Sequence, residues 1–260
     1  MSLFDRFRLD GKRLFITGGS RGLGREMALA IAEVGADVIL VGRDADSLER
    51  TADDIRGLGR QAWTWQRDMG KPEECESTCI EALEQQGPID ILINNVGGRR
   101  ENIPTEDMAL TKWQELIDLN LTSAFLCTRY MGRHMIDRGL GGRIINIASI
   151  NAFVAGRRIA GRHYETAKAA MVQLTRATAV DWAPHGITVN AICPGGFMTE
   201  PNIRWSKLHP EVIEGFQSQI PMGAFGIPED LGPLAVYLAS DAARYMTGAA
   251  LIIDGGYTLS

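Results

Sequence analysis

Short apolar runs alternate with amphipathic stretches along almost the whole chain. Most of the apolar runs are rich in Val, Ile and Leu and last four to six residues. Continuous apolar runs of this length are typical of parallel strands that are covered on both faces. The pattern predicts strands at 13–17, 37–41, 61–66, 89–93, 143–147, 187–192 and 250–253.

Stretches with helical periodicity separate the predicted strands. Several of them begin at Pro or end at Gly, which are the residues expected at helix ends. Helices are predicted at 22–34, 45–58, 72–86, 111–137, 164–182 and 228–240, with Thr111 as the N-cap of the fourth. Because β and α elements alternate throughout, we expect one α/β domain over residues 1–260. It would contain a single doubly wound parallel sheet of about seven strands with helices on both faces.

The alternation is interrupted at about 200–222, after the sixth predicted strand. The segment therefore lies on the carboxyl side of the sheet, where doubly wound folds bind their ligands. We expect it to form an insert on the substrate side of the site. The chain contains no linker, internal repeat or low-complexity segment.

The charge and the hydropathy exclude several classes of protein. The 260 residues carry a net charge of −5, from 27 basic and 32 acidic side chains, so no global basic field is available to bind nucleic acid. No apolar run approaches the 18 residues of a membrane span, and the first ten residues lack the apolar core of a signal peptide. We expect a cytoplasmic protein that contacts neither nucleic acid nor membrane.

The four cysteines do not form a recognisable metal motif. Cys75 and Cys79 are one helical turn apart, but no second cluster of Cys or His accompanies them in the sequence. Buried thiols in a reducing compartment are the expected interpretation. We predict no metal site.

A glycine-rich turn follows the first predicted strand and opens the first helix. Its sequence is Thr-Gly-Gly-Ser-Arg-Gly-Leu-Gly, from Thr17 to Gly24. Glycines at such a junction let the backbone approach a pyrophosphate, and the helix N-terminus supplies amides and a positive dipole. The turn predicts a dinucleotide site at Gly18, Ser20, Arg21, Gly22, Leu23 and Gly24.

A tyrosine and a lysine share one helix face near the start of the fifth predicted helix. Tyr164 and Lys168 are four residues apart, which places their side chains one turn apart. An ammonium about 5 Å from a phenol, at an effective dielectric near 20, favours the phenolate by roughly 3 kcal/mol. We therefore expect Lys168 to bring Tyr164 toward the range of a general acid or base at neutral pH.

Further motifs lie at the ends of the other predicted strands. They are Asp68-Met69 after the third, Asn94-Asn95-Val96-Gly97 after the fourth, Ser149 after the fifth, and Pro194-Gly195 with Thr199 after the sixth; Asn120 lies inside the long helix and Asp254-Gly255-Gly256 near the C-terminus. In order and spacing, these motifs resemble those of the classical short-chain dehydrogenase/reductase family, over essentially the whole chain. The resemblance extends to its gluconate 5-dehydrogenase-like and 3-oxoacyl-[acyl-carrier-protein] reductase-like members.

The resemblance implies a Rossmann fold, a nicotinamide cofactor and a set of catalytic residues. Tyr164 would exchange a proton with the substrate oxygen, Ser149 would polarise the carbonyl or alcohol, and Lys168 would bind the nicotinamide ribose. Asn120 would support a proton relay from Lys168. Beyond the glycine turn, the implied cofactor contacts are Arg43, Asp68, Met69, Asn95, Gly97, Tyr164, Lys168, Pro194, Gly195, Phe197 and Thr199. A homotetramer is also implied.

Positive charge at the end of the second strand predicts NADP(H) rather than NAD(H). An acidic residue at this place would accept the ribose hydroxyls of NAD, but the chain has Gly42 and Arg43 there, with Asp44 one place further on. Arg21 in the glycine turn can reach the same 2′-phosphate.

Two loops expected around the substrate pocket are rich in arginine. Arg99 and Arg100 follow the Asn-Asn-Val-Gly motif, and Arg157 and Arg158 lie between Ser149 and Tyr164. That segment has a spacing of 15, slightly longer than the family's usual spacing of about 13. The arginines predict an anionic substrate, with a sugar acid or polyol as the first choice. A 3-oxoacyl thioester reductase and a catalytically silent dinucleotide sensor are the alternatives.

Overall fold

The computed structural model describes residues 2–156 and 160–259. Its centre is one seven-stranded sheet in the order β3-β2-β1-β4-β5-β6-β7, and every neighbouring pair is parallel. The strands are β1 (Arg13–Thr17), β2 (Asp37–Gly42), β3 (Ala62–Gln66), β4 (Ile91–Asn94), β5 (Gly142–Ile147), β6 (Ile187–Pro194) and β7 (Ala250–Ile253). The predicted doubly wound sheet is confirmed, with most boundaries within one or two residues.

Helices cover both faces of the sheet. They are α1 (Gly22–Glu33), α2 (Ala45–Gly57), α3 (Pro72–Gln86), α4 (Leu110–Ile117), α5 (Ser123–Arg138), α6 (Arg162–Trp182), α7 (Glu200–Leu208), α8 (Pro210–Gln217) and α9 (Leu231–Ala239). Alternate strand residues point to opposite faces. Leu14 and Ile16 therefore pack with α1, α2 and α9, while Phe15 between them packs with α3 and α5. The core thus forms two layers, one on each side of the sheet.

The long helix predicted at 111–137 is one helical run with a local expansion. Asp118–Thr122, between α4 and α5, forms a π-helical turn that contains the buried Asn120. Such turns are rare and often occur at functional sites. The run begins after Ala109, so Thr111 lies inside the first turn and is not the N-cap.

The predicted insert folds into two short helices. Segments α7 and α8 follow strand β6, and the Phe216 side chain of α8 lies close to Gly196, just after the carboxyl end of that strand. Beyond them, Gly226 pairs with Phe197 in an isolated parallel bridge, which ties the end of the insert back to its beginning. Within the described ranges, no helix combines the length and the apolar character needed to cross a membrane.

Candidate active site

The glycine-rich turn and the Asn-Asn-Val-Gly motif meet because strands β1 and β4 are neighbours. The hydroxyl oxygen of Thr17, at the end of β1, accepts hydrogen bonds from the backbone N–H groups of Asn95 (3.0 Å) and Val96 (3.1 Å). The Asn95 side chain in turn donates to the carbonyl oxygens of Thr17 and Gly18. The strand order reverses between β1 and β4, where folds of this type bind ligands.

A cavity of about 690 Å³ opens at this place. It is lined by Gly18, Ser20, Arg21, Gly22, Leu23, Gly24, Gly42, Arg43, Asp44, Arg67, Asp68, Met69, Asn95, Val96, Gly97, Gly98, Arg100, Leu119, Ile147, Ala148, Ser149, Tyr164, Lys168, Pro194, Gly195 and Thr199. The structure therefore brings together most of the residues that the sequence analysis proposed for the cofactor. Phe197 does not line the cavity. Its side chain is buried and packs against Gly226.

Ser149, Tyr164 and Lys168 converge at one end of the cavity. Ser149 follows β5 and is 6% exposed, and its hydroxyl is close enough to Tyr164 to lower the pKa of that phenol. Lys168 is 3% exposed, and its Nζ lies 5.8 Å from the centroid of the Tyr164 ring. The same Nζ donates to the carbonyl oxygen of Ile147 (2.7 Å). Strand β5 and helix α6 thus hold three of the four proposed catalytic side chains in one place.

The electrostatics of Tyr164 differ from the expectation based on helical spacing. Burial raises the pKa of the tyrosine above its ordinary value, while the hydrogen bond with Ser149 and the charge of Arg99 oppose this rise. Lys168 is itself desolvated, and burial lowers its pKa to about 8. The simple Coulomb argument failed because it treated the ammonium as a fixed, fully charged neighbour, whereas burial penalises both charged forms.

Asn120 lies behind the cavity and forms hydrogen bonds with the backbone of a loop that lines it. Its side-chain oxygen accepts from the N–H of Gly98 (2.8 Å), and its Nδ2 donates to the carbonyl oxygens of Leu116 (2.8 Å) and Gly98 (3.1 Å). A Cβ on Gly97 would lie only 2.8 Å from Oδ1 of Asn120 and 3.1 Å from Nζ of Lys168. Gly97 therefore allows the loop to pass between two of the proposed catalytic side chains.

Three arginines contribute positive charge to the lining of the cavity. Arg21, Arg43 and Arg100 all line the cavity. Burial lowers the pKa of Arg100, and the charges of Arg43 and Arg21 lower it further, so both of these cations repel the guanidinium of Arg100. The partial counter-charge is Asp68, whose carboxylate lies 4.0 Å from Arg43. An anion such as a phosphate would relieve this repulsion.

Arg99 has a different position from its neighbour. Its two terminal nitrogens donate to groups of the chain itself, and its guanidinium lies over the ring of Tyr164. Arg157 and Arg158, the other two arginines proposed to bind substrate, lie outside the described residues. Of the four, only Arg100 lines the cavity among the residues that the structure describes.

The structure adds Cys127 to the cysteine pair that the sequence singled out. The Sγ atom of Cys127 lies 3.6 Å from that of Cys75 and 3.8 Å from that of Cys79, and all three residues are buried between α3 and α5. No fourth Cys, His or carboxylate joins them among the residues described. Cys127 could not be found from local spacing because it is about fifty positions away.

Comparisons with known proteins agree with this geometry. A family model described as enoyl-(acyl carrier protein) reductase matches residues 18–258. Gluconate 5-dehydrogenase of Gluconobacter oxydans is 37% identical, with both chains fully covered, and 2-dehydro-3-deoxy-D-gluconate 5-dehydrogenase of Bacillus subtilis is 38% identical over 98% of each.

Solved structures give the same picture. A short-chain type dehydrogenase/reductase from Mycobacterium marinum is 40% identical, with a TM-score of 0.89 and full coverage of both chains. A gluconate 5-dehydrogenase from Burkholderia cenocepacia, crystallised with NADP and tartrate, is 33% identical, with a TM-score of 0.91 and full coverage of both.

Proposed function

The chain belongs to the short-chain dehydrogenase/reductase family and is an oxidoreductase, and on this basis we propose that it transfers a hydride between NADP(H) and a sugar acid or polyol. The observation that carries the proposal is the convergence of Ser149, Tyr164 and Lys168 on the cavity that begins at the glycine turn. Proton-transfer and cofactor-binding groups therefore share one site.

Each of the four proposed catalytic side chains has a separate role. Tyr164 donates a proton to the substrate oxygen in reduction and accepts it in oxidation, and Ser149 holds that oxygen through its hydroxyl. Nζ of Lys168 makes one short hydrogen bond, to Ile147, and a long contact with the sulfur of Met171, so it has donor capacity left for the hydroxyls of a ribose. The nicotinamide, when bound, supplies or accepts the hydride. Asn120 fixes the backbone at Gly98 and so keeps the loop beside Lys168 in place.

The guanidinium groups of Arg21, Arg43 and Arg100 support NADP(H) as the preferred cofactor. They line the same cavity, and a 2′-phosphate would bring negative charge to this group of cations. A relative of the same fold binds NADP in its crystal structure. Asp44 follows Arg43, but its carboxylate is engaged at the start of α2, where it accepts from the N–H of Ser47 (2.8 Å).

The main support for an anionic substrate comes from the names of the relatives, and Arg99 and Arg100 add little to it. Two curated relatives are named for gluconate or a deoxygluconate derivative, and one solved relative holds tartrate. In this chain Arg99 is engaged internally and Arg100 lies toward Arg21 and Arg43. Arg157 and Arg158 are the remaining cations of the proposed pocket rim, so we assign the recognition of a carboxylate to the segment between Ser149 and Tyr164.

A thioester reductase is the second candidate. The family model that matches the chain is described by an acyl-carrier-protein substrate, and the same tyrosine chemistry would serve a 3-oxoacyl group. A silent dinucleotide sensor would not need Ser149, Tyr164 and Lys168 to meet.

The exposed faces of α5 and α6 support assembly into a homotetramer. Ala124, Met131 and Met171 of these two helices are buried in the core. Phe125 (47% exposed) and Val180 (77% exposed) remain outside it. In an assembly, these apolar side chains can pack against another copy of the chain.

The proposed reaction is tested by an activity panel with NADPH and NADP. Sugar acids, polyols, their oxo forms and 3-oxoacyl thioesters are compared with the wild type and with Tyr164→Phe. We expect turnover of a sugar acid or polyol, and a loss of roughly 100- to 10,000-fold in Tyr164→Phe. Tyr245→Phe, at a side chain that is 98% exposed, serves as the matched control. Normal turnover by Tyr164→Phe would refute the proposed chemistry, and activity on thioesters alone would favour the second candidate.

A further inference from the structure

Among the residues that the structure describes, Arg99 is the cation nearest to the ring of the proposed catalytic tyrosine. Its Cζ atom lies 5.0 Å from the centroid of the Tyr164 ring, whereas Nζ of Lys168 lies 5.8 Å from it. The two cations reach the ring from different elements, because Arg99 comes from the loop after β4 and Lys168 from α6 itself. A guanidinium over an aromatic face is attracted by the ring and, more strongly, by a phenolate.

The position of Arg99 is fixed by the segment that leads into α6. Nη1 donates to the carbonyl oxygens of Ala160 (2.8 Å) and Gly161 (3.1 Å). Nη2 donates to the side chains of Asn151 (3.3 Å) and Glu165 (3.4 Å). The Arg99 side chain is 18% exposed. With both terminal nitrogens engaged, the planar group is held over the ring and cannot turn toward a substrate without breaking these bonds.

The two sequence neighbours of Tyr164, His163 and Glu165, also interact with Arg99. Nε2 of His163 lies 3.0 Å from the carbonyl oxygen of Arg99 and donates to it, because that oxygen can only accept. The Glu165 carboxylate accepts from the N–H of Gly156 (2.9 Å) and from Arg162 (2.8 Å). Burial opposes the charge on Glu165, but Gly156, Arg162 and Arg99 together hold its pKa below the ordinary value. Glu165 is therefore a fixed anion beside Arg99.

We propose that Arg99 is a positioning residue for the reaction: it fixes the ring of Tyr164 and stabilises its phenolate by a charge held over the ring face. This inference rests on the proposed function, in which Tyr164 exchanges the proton. It removes Arg99 from the candidates for substrate binding and gives the loop after β4 a part in the proton transfer.

The other titratable groups that face Tyr164 cannot replace Arg99 at alkaline pH. Burial lowers the pKa of Lys168 to about 8, so the ammonium is lost in the range where alcohols are commonly oxidised. Burial raises the pKa of Cys193, on β6, to about 11, so this thiol stays neutral. Arginine keeps its charge throughout. Arg99 is consequently the cation that remains beside the phenolate above pH 8.

The test follows the pH dependence of alcohol oxidation, in which Tyr164 must be a phenolate. In Arg99→Gln, the acidic limb of the kcat profile should move to higher pH, and kcat at pH 7 should fall roughly three- to thirtyfold. Arg99→Lys keeps the charge but loses the planar fork, and should restore most of the limb with a partial loss of kcat. Arg162→Gln also removes a partner of Glu165, but the charge of Arg162 does not lie over the Tyr164 ring. The acidic limb of this variant should therefore match that of the wild type.

A purely structural role gives a different result. If Arg99→Gln lowers the melting temperature while the limb keeps its wild-type position, or if Arg162→Gln shifts the limb equally, the inference is wrong. The substitution Tyr164→Phe separates this failure from a failure of the proposed function. An inactive Tyr164→Phe with an unshifted Arg99→Gln overturns the role of Arg99 alone, whereas an active Tyr164→Phe overturns both.

Discussion

The ammonium of Lys168 donates a hydrogen bond of 2.7 Å to the carbonyl oxygen of Ile147, the last residue of strand β5. This contact ties helix α6 to the carboxyl end of the sheet, where the site lies. The second contact recorded for Nζ is a long approach of 4.0 Å to the sulfur of Met171. A buried cation with so few partners is costly to the fold, and in the proposed function the ribose of the cofactor would supply further partners.

Replacing Lys168 should trade activity for stability. We expect Lys168→Met to abolish turnover and to raise the free energy of unfolding at pH 7 by on the order of 2 kcal/mol. Lowering the lysine pKa from 10.5 to about 8 costs roughly 3 kcal/mol, and the unpaired carbonyl of Ile147 would return about 1 kcal/mol of that gain. Thermal unfolding without cofactor measures the effect, and a destabilised but well-folded Lys168→Met would contradict it.

The stability gained by replacing Lys168 should depend on pH. Lys168 loses its proton near pH 8 when folded and near 10.5 when unfolded, so the unfolded chain binds more protons in between. The penalty is fully present below pH 8 and disappears as the pH rises to 10.5. The advantage of Lys168→Met over the wild type should therefore shrink across this window and stay constant between pH 6 and 7.5.

Gly97 should not tolerate a side chain. In Gly97→Ala the new Cβ would meet Oδ1 of Asn120 and Nζ of Lys168 at 2.8 and 3.1 Å, at a backbone φ of +158° that glycine accepts readily. We expect a loss of kcat of about tenfold or more, together with roughly 1–3 kcal/mol of stability. Gly57→Ala is the control, because its Cβ has nothing within 4 Å. Equal kinetics for the two variants would contradict this role.

Cofactor preference should follow Arg43. In Arg43→Ala, kcat/KM for NADP should fall about tenfold while the value for NAD changes little, because the lost contact is made only to the 2′-phosphate. The side chain is 55% exposed, so the effect lies at the lower end of the range for a charge-assisted bond. Arg133→Ala, another exposed arginine, is the control. A wild type that uses both cofactors with equal efficiency would refute the NADP preference.

Recognition of a carboxylate should appear in KM. The wild type is compared on a sugar acid and on its neutral analogue, and then Arg158→Ala and Arg100→Ala are measured on both. We expect the acid to be preferred, Arg158→Ala to raise KM for the acid about tenfold, and Arg100→Ala to raise KM for NADP instead. No preference for the acid in the wild type, or an unchanged KM in Arg158→Ala, would count against an anionic substrate.

Assembly should depend on the exposed apolar residues of α5 and α6. Phe125→Glu and Val180→Glu place a charge where each helix presents an apolar side chain outside the core. We expect light scattering to report a tetramer for the wild type and smaller species for both variants. Leu140→Glu, at a residue that is 75% exposed in the loop after α5, should leave the mass unchanged. A wild-type monomer at micromolar concentration would refute the assembly.

The elements and the cofactor turn were predictable because their signals are local. Strand β1 and helix α3 have the predicted boundaries, since apolar periodicity, Pro72 at the start of α3 and Gly87 after it are all read from consecutive residues. Strand β4 begins two residues later than predicted, at Ile91. There the carboxylate of Asp90 accepts from the N–H of Arg13, and this contact depends on the neighbouring strand.

Directions of side chains in the loops depended on the tertiary structure. Arg99 and Arg100 are adjacent in the sequence and gave one interpretation, but Arg99 lies over the ring of Tyr164 whereas Arg100 feels the charges of Arg43 and Arg21. The chain passes through Gly97 and Gly98 at φ +158° and +143° and turns again at Arg100, whose φ is +59°. Asn120 forms two hydrogen bonds with the backbone of Gly98, and this contact between distant parts of the chain helps to hold the loop. For the same reason, spacing alone predicted that Tyr164 and Lys168 share a helix face, but only packing determined that both would be desolvated.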